Sequence, residues 1–461
     1  MANVNNILLM VSMIIFFGYI AEWIFEKKGV PDTLFLIFLG FLLGPNVLGY
    51  VQPEALGALA PLFTTFTLLF LLFNGALSID LKSLAEGIGS GISIGISIFF
   101  ISSLAAAGIF YLMTLDVMTS LMLGFALGGI SSAFIIPVIS QLQLKKKLYS
   151  ILTLESALTD VISIVFAITV IDLKILNVIE IDSVLSKIAS QFSIAAVVAI
   201  LAGYVWIFIE KKAIGDKNYI MTIAHVMLVY FITEFLKGSG AIAALFFGIV
   251  LNNSSKLIFF GQRIMHPRKK IEKSKKENKD DVVSMRERMF YTEIAFFLKT
   301  FFFVYIGLLL NVRNLKAVAV GTAIAFSLML LRNFSFLLTK KFEKQERLLI
   351  NALFARGIAP AAIILAAVER GVPIDSGIVD IVYFVITATI ILSSVKVFIY
   401  KIKVKKLAEE KAVANIEAQK VAGKVGSFLA GIGGFFRKKR TVSAADEGSG
   451  KHIPDHDETQ S

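Results

Sequence analysis

The chain has no cysteine, which excludes disulfides and thiol chemistry and leaves the redox compartment unmarked. It is also poor in charge. Asp, Glu, Lys and Arg make up 17% of the residues against 56% apolar ones, too little charge to cover the surface of a soluble protein this long. No GxxxxGK[ST] loop occurs, so an ATP-driven pump of the P-loop kind is excluded. No basic residues precede the first apolar block, residues 6–25, and no small-residue cleavage site follows it. That block is therefore expected to be a retained span. Histidines number four. His452 and His456 share the C-terminal tail without further ligands, and no cofactor is expected.

The apolar residues fall in blocks long enough to cross a bilayer, which takes roughly 20 helical residues. They lack the period-two alternation of a barrel, and lipid admits only helices or closed barrels. The chain therefore reads as an all-α membrane protein of about 13 spans. The spans centre near Ile14, Phe41, Leu69, Ser97, Gly129, Asp160, Val198, Met227, Phe246, Phe302, Phe326, Ala361 and Thr387. Only residues 237–240 separate the eighth from the ninth. A net charge of +12 invites a nucleic-acid reading, but basic runs beside membrane spans are orientation and anionic-lipid signals, and no nucleic acid is expected. Lysines 145–147, Lys211, Lys212, residues 263–288, residues 340–347 and the tail carry the basic residues of one side, and Lys174, Arg313 and Arg370 stand on the other. The positive-inside rule puts the N-terminus outside and the C-terminus in the cytoplasm of a plasma or inner-membrane protein.

Three regions follow. Residues 1–400 form the transmembrane transport domain, with a charged cytoplasmic loop at 262–288. Residues 401–440 form a basic cytoplasmic or interfacial helix ending in GSFLAGIGGFFRKKR, which suits either anionic lipid or solvent. Residues 441–461 read as a disordered tail.

Two spans echo each other: the fifth reads FALGGISSAFIIPVI and the twelfth ALFARGIAPAAIILA. Each has small residues mid-span followed by a proline, Pro137 and Pro360, which loosen a ladder that lipid cannot repair. Standing seven spans apart, they run in opposite directions. Such a pair is the sequence pointer to an inverted-repeat transporter with its site near the midplane.

An ionisable residue inside a span costs roughly 2.5–3.5 kcal/mol on insertion scales, so it pairs or works. The sixth span carries two, Glu155 and Asp160. Thr153, Ser156, Asp160 and Ser163 recur at three- and four-residue steps and share one face, from which Glu155 is turned by about 140°. At ~1.5 Å per residue, Asp160 lies about 20 Å in from Lys147, level with Ser131 and Ser132 in the fifth-span break. A carboxylate, hydroxyls and freed carbonyls suit a small hard cation and can alternatively hold a proton. Glu155 is about 12 Å from the cytoplasmic face, as deep as Arg332 and nearly as deep as Arg356; pairing with either neutralises both charges. Lys299 is a further intramembrane cation, whose partner is expected to be Glu293 or the site itself.

Five segments, in order, resemble the monovalent cation/proton antiporters, specifically the NhaP-type sodium/proton antiporters of archaea and bacteria. They are VPDTLFLIFLGFLLGPNVLG, LLFNGALSIDL, LESALTDV, FFLKTFFFVYIGLLL and FARGIAPAAI, and the resemblance covers residues 30–400. It implies an inverted-repeat antiporter fold, with spans 5 and 12 as two broken crossing helices in a mobile core, and a homodimer. It further implies that Asp160 binds cation and proton in turn. Ser156, a hydroxyl of the fifth-span break and a polar group near Asn74 assist, and Glu155 pairs with Arg332. Four residues depart from the family pattern. Thr159 stands where this branch usually has asparagine, Ser131-Ser132 stands where the usual pattern is Thr-Asp-Pro, and Asn74 stands where some relatives have a carboxylate.

One well-placed acid favours one cation for one proton with no net charge moved. The functional reading is electroneutral, alternating-access exchange of Na⁺ or Li⁺ for H⁺ at Asp160, with Ser156, Thr159, Ser131, Ser132, Asn74 and water assisting. A K⁺/H⁺ exchanger of the same fold stands beside it, since a less acidic site suits potassium. A sodium-coupled organic-anion carrier is the reading from a different class. An enzyme is not expected.

Overall fold

A computed structural model describes residues 11–21, 23, 32–52, 60–77, 81–142, 144–176, 181–212, 219–254, 283–404 and 406–407. Among them every regular element is helical and no strand occurs. The chain divides into two units, Met1–Phe398 and Ile399–Ser461. Most of the loop expected at 262–288, and nearly all of the segments expected at 401–440 and 441–461, lie outside the described residues.

In chain order the helices are α1 (Val11–Ala21), α2 (Asp32–Leu43), α3 (Ala60–Ala76), α4 (Leu81–Thr114), α5 (Val117–Gly128), α6 (Ser132–Ser140), α7 (Lys146–Leu176) and α8 (Ile181–Lys212). Then follow α9 (Tyr219–Phe235), α10 (Gly240–Asn252), α11 (Met285–Leu309), α12 (Leu315–Leu331), α13 (Lys344–Ala352), α14 (Ile358–Glu369) and α15 (Ser376–Val404). Every expected span centre but Gly129 lies in a helix. Among the described residues, seven segments are long and apolar enough to cross a membrane by themselves, and the remaining apolar helices are shorter. This is a multi-pass architecture.

Ordinary chemistry ends the helices. Asp116 caps α5 by accepting from the Met118 and Thr119 amides, and Ser239 caps α10. The charged segment ends sooner than its sequence suggests: Ser284 and Glu287 form a capping box, so residues 285–288 already belong to α11. A chain reversal with Lys237 at φ +64° separates α9 from α10. Basic residues sort by end, as the exposed Lys145 meets Glu343 at 2.5 Å, while Lys174 meets Asp116 and Arg370 meets Asp172 at the far end of α7.

Two spans are broken where the echo lies. The fifth stops at Gly128 and resumes at Ser132; the twelfth stops at Ala352 and resumes at Ile358. The prolines do not make the breaks. Pro360 is third in α14, inside the first turn, where a missing N–H costs no bond. Pro137 is sixth in α6 and removes only the bond to Ala133. The breaks fall instead on extended backbone, with Gly129 at ψ 155° and Leu353 at ψ 94°. Gly129 is required by proximity, since a Cβ there would come 2.6 Å from the Thr159 carbonyl oxygen.

α7 runs through the middle of this arrangement. It packs against α3, α4, both halves of the fifth span (α5, α6), and α14. Elsewhere α2 runs along α11 at backbone contact, where a Cβ on Gly307 would meet the Ile37 carbonyl oxygen at 2.1 Å. Side chains could not fit there.

Candidate cation and proton site

The two breaks meet. The Ser131 amide donates to the Ala355 carbonyl at 2.9 Å, and the Arg356 guanidinium donates to the Gly129 carbonyl at 2.5 Å. Groups that the helical ladder abandons in one span are thus satisfied by the other, which is what an unwound segment at membrane depth requires. Arg356 is buried, and its charge lies near the carbonyl end of α5, where a cation is favoured.

The polar face of α7 supplies the rest. Asp160 Oδ2 accepts from the Ser132 amide at 2.9 Å and from the Ser132 hydroxyl at 2.5 Å. Ser132 is the first residue of α6, so the carboxylate sits on a helix N-terminus, where negative charge is favoured. Thr159 Oγ1 accepts from the Ile130 amide at 3.1 Å. Ser163 Oγ donates to the Phe125 carbonyl at 2.6 Å, with that of Ala126 at 3.0 Å. Asp160, Thr159 and Ser163 of α7 thus each take up a group of the fifth span at or beside its break. Ser163 was visible as part of the polar stripe, but its task needed the neighbouring carbonyls.

Asp160 differs from the others in what it leaves over. Its Oδ1 has no hydrogen-bond partner among the described residues. Asp160 keeps 9% and Ser132 6% of their surface, against 0% for Ser156 and Ser163. One carboxylate oxygen is thus both unengaged and reachable. Arg356 acts on Asp160 through its charge, without an ion pair between them.

The other expected residues are placed as follows. Ser156 Oγ donates to the Thr153 carbonyl at 3.1 Å within its own helix, and the Thr159 hydroxyl donates to Ser156 O at 3.3 Å; no hydrogen bond joins either to Asp160. Ser131 is buried in the break and enters through its backbone. Asn74 is half-buried on α3, which packs on α6 and α7. Glu155 Oε1 meets Arg332 Nη1 at 2.5 Å, both residues 1% exposed, and Arg332 Nε donates to the Ile350 carbonyl at 3.0 Å. Of the two arginines left open by depth, Arg332 is the partner.

Lys299 corrects the expectation. It pairs with Asp32 at 2.5 Å, both buried, and not with Glu293 or with Asp160. Glu293 stands six residues away on the same helix, about 120° round the axis, and is exposed. Asp32 escaped notice because it opens α2 and reads as a boundary residue. Its depth depends on α2 lying parallel to α11, which only the packing decides.

Comparisons with known proteins agree with this architecture. The family described as sodium/hydrogen exchanger, transmembrane, matches residues 12–401. A K(+)/H(+) antiporter NhaP of Alkalimonas amylolytica is 23% identical over 266 residues, 55% of this chain and 45% of that protein. The chain thus spans less than half of that relative's length. A probable Na(+)/H(+) antiporter 2 of Methanocaldococcus jannaschii is 22% identical over 359 residues, 75% of this chain and 81% of that one. Among solved structures, the sodium proton antiporter MjNhaP1 of M. jannaschii at pH 8 superposes with a TM-score of 0.66 at 20% identity, covering 87% of this chain and 99% of that one. An electron-microscopy map of MjNhaP1 gives a TM-score of 0.67 at 19% identity, covering 88% and 98%. At these identities the likeness is one of fold.

Proposed function

We propose that this chain, which belongs to the sodium/hydrogen exchanger family, is an NhaP-type antiporter that exchanges one monovalent cation for one proton at Asp160. The observation that carries the reading is the free, partly exposed Oδ1 of a carboxylate whose Oδ2 is already held by Ser132. Two donors stabilise negative charge on the group, while the remaining oxygen is left to a cation or a proton. Both cannot occupy it together, and that exclusion is the coupling.

Charge counting makes the exchange electroneutral. Four buried charges stand at the crossing: Asp160, Glu155, Arg332 and Arg356. Glu155 and Arg332 cancel each other. Binding Na⁺ or H⁺ at Asp160 adds the same +1 to the core, so the two loaded forms cross at equal charge. Ser132 fixes the carboxylate through its hydroxyl and amide. Thr159 and Ser131 hold the backbone of the break, Ser156 lies one turn along the same face of α7 as Asp160, and Asn74 and water complete the coordination of Na⁺ or Li⁺. The site then faces one side of the membrane and the other in turn. The N-terminus is placed outside and the tail in the cytoplasm on the positive-inside rule.

Potassium is the second reading. A single carboxylate surrounded by neutral oxygens imposes a weak field, and one relative is named a K(+)/H(+) antiporter. In proteoliposomes bearing a pH gradient, Na⁺ or Li⁺ should collapse the gradient without generating voltage, and K⁺ added alone separates the two readings. Asp160→Asn should abolish the response. Exchange retained by that variant would sink the assignment, and sodium-dependent uptake of an organic anion without proton movement would favour a carrier of another class.

A further inference from the structure

The break in the twelfth span leaves backbone groups of residues 351–357 without ladder partners. Four of them, the Asn351 and Ala352 carbonyls and the Phe354 and Arg356 amides, are taken up by one face of α15. Lys396 Nζ donates to the Asn351 carbonyl at 3.0 Å and to its side-chain oxygen at 2.5 Å. Ser393 Oγ donates to the Ala352 carbonyl at 2.7 Å and accepts from the Phe354 amide at 3.4 Å. Thr389 Oγ1 accepts from the Arg356 amide at 3.0 Å, while its own proton goes to the Ile386 carbonyl at 2.9 Å. Thr389 and Ser393 are fully buried. Steps of four and three residues put all three on one helix face.

We propose that Thr389 and Ser393 are positioning residues for cation and proton exchange at Asp160, acting through the twelfth-span break. The route is short and continuous. Thr389 fixes the Arg356 peptide. The neighbouring Ala355 carbonyl receives the Ser131 amide, and the Arg356 side chain holds the Gly129 carbonyl. Directly after these anchored points stands Ser132, whose amide and hydroxyl engage Asp160. Without Thr389 the Arg356 amide is buried and unpaired, which the segment can relieve only by moving. Ser132 then loses its aim at the carboxylate, and the ionised, cation-binding form is held less well. α15 is thus a hydroxyl rail that keeps the site in register, touching neither cation nor proton. The inference rests on the assignment of exchange to Asp160.

The test uses the full chain in proteoliposomes with Thr389→Val, Thr389→Ser, Ser393→Ala and Asp160→Asn, each first shown to be monodisperse after purification. Thr389→Val keeps the shape and deletes the acceptor. It should raise the KM for Na⁺ about tenfold, the fold-change that about 1.4 kcal/mol represents, and most strongly at low pH, where protons compete. Vmax should change less than KM. Ser393→Ala should move KM in the same direction, and Thr389→Ser, which keeps the acceptor, should restore the parent KM and pH profile. Unchanged KM and pH profiles in both Thr389→Val and Ser393→Ala would overturn the proposal, as would a Thr389→Ser that behaves like valine. Loss of exchange in Asp160→Asn alongside such unchanged profiles would leave the site assignment standing. Exchange surviving in Asp160→Asn would remove the assignment itself.

Discussion

Removing either partner of the Glu155–Arg332 pair should destabilise the fold far more than removing both. Each side chain is 1% exposed, so neither charge can reach water if the other disappears. With Glu155→Leu, Arg332 retains only the Nε bond to the Ile350 carbonyl. Breaking a buried pair from one side costs about 3–5 kcal/mol. Arg332→Met leaves the mirror problem, a buried carboxylate stripped of its ion-pair partner. The double variant buries two apolar side chains instead, and such replacements are often neutral. The pair is also imperfectly satisfied: Glu155 Oε2 and Arg332 Nη2 have no hydrogen-bond partner among the described residues, so little is forfeited when both go. A double-mutant cycle on the detergent-solubilised protein, read as unfolding free energy in a denaturing-detergent titration, should return a coupling of several kcal/mol, on the order of ~3. Single variants costing under about 1 kcal/mol, or a double variant costing their sum, would refute the argument.

Two further outcomes are specific. Gly307→Ala should cost about 1–3 kcal/mol or more, because its Cβ would be driven onto the Ile37 carbonyl oxygen at 2.1 Å; the measured midpoint in the same titration decides it, and an unchanged midpoint would contradict the α2–α11 contact. At the far end of α7, burial pushes the Asp116 carboxyl up, but donation from Lys174, Thr119 and the Met118 amide outweighs it and brings it down to about 2. A carboxyl held low stabilises the fold above its unfolded range, and that contribution fades as pH falls through about 2. The melting-temperature deficit of Asp116→Ala should therefore stay constant from pH 8 to 5 and shrink only in strong acid. A deficit that disappears by pH 5 would exclude this pairing.

The breaks show how far residue pattern reaches. Small residues and a proline in two distant spans located both interruptions, because only such segments abandon the helical ladder in lipid. The prolines were nonetheless the weaker part of the signal, as non-helical backbone at residues 129–131 and 353–357 makes the breaks. Helical phase separated Glu155 from Asp160, and depth narrowed its partner to two arginines, since both quantities are fixed along one helix. Lys299 could not be matched in that way. Its partner lies on α2, and which helices adjoin is not written in the period of either.

Residue pattern alone shows a helical chain that crosses a membrane many times, interrupts two of its spans and carries a carboxylate beside a break. Each of these is a local property, set by apolar length, helical phase or the cost of charge in lipid. Tertiary structure alone decided which oxygen of Asp160 is taken and which is left. It also decided that Asp32 answers Lys299 and that α15 meets the twelfth-span break, and it brings to Glu155 the arginine that the resemblance implies, Arg332. Those are contacts between distant segments, and their geometry exists only once the helices have packed.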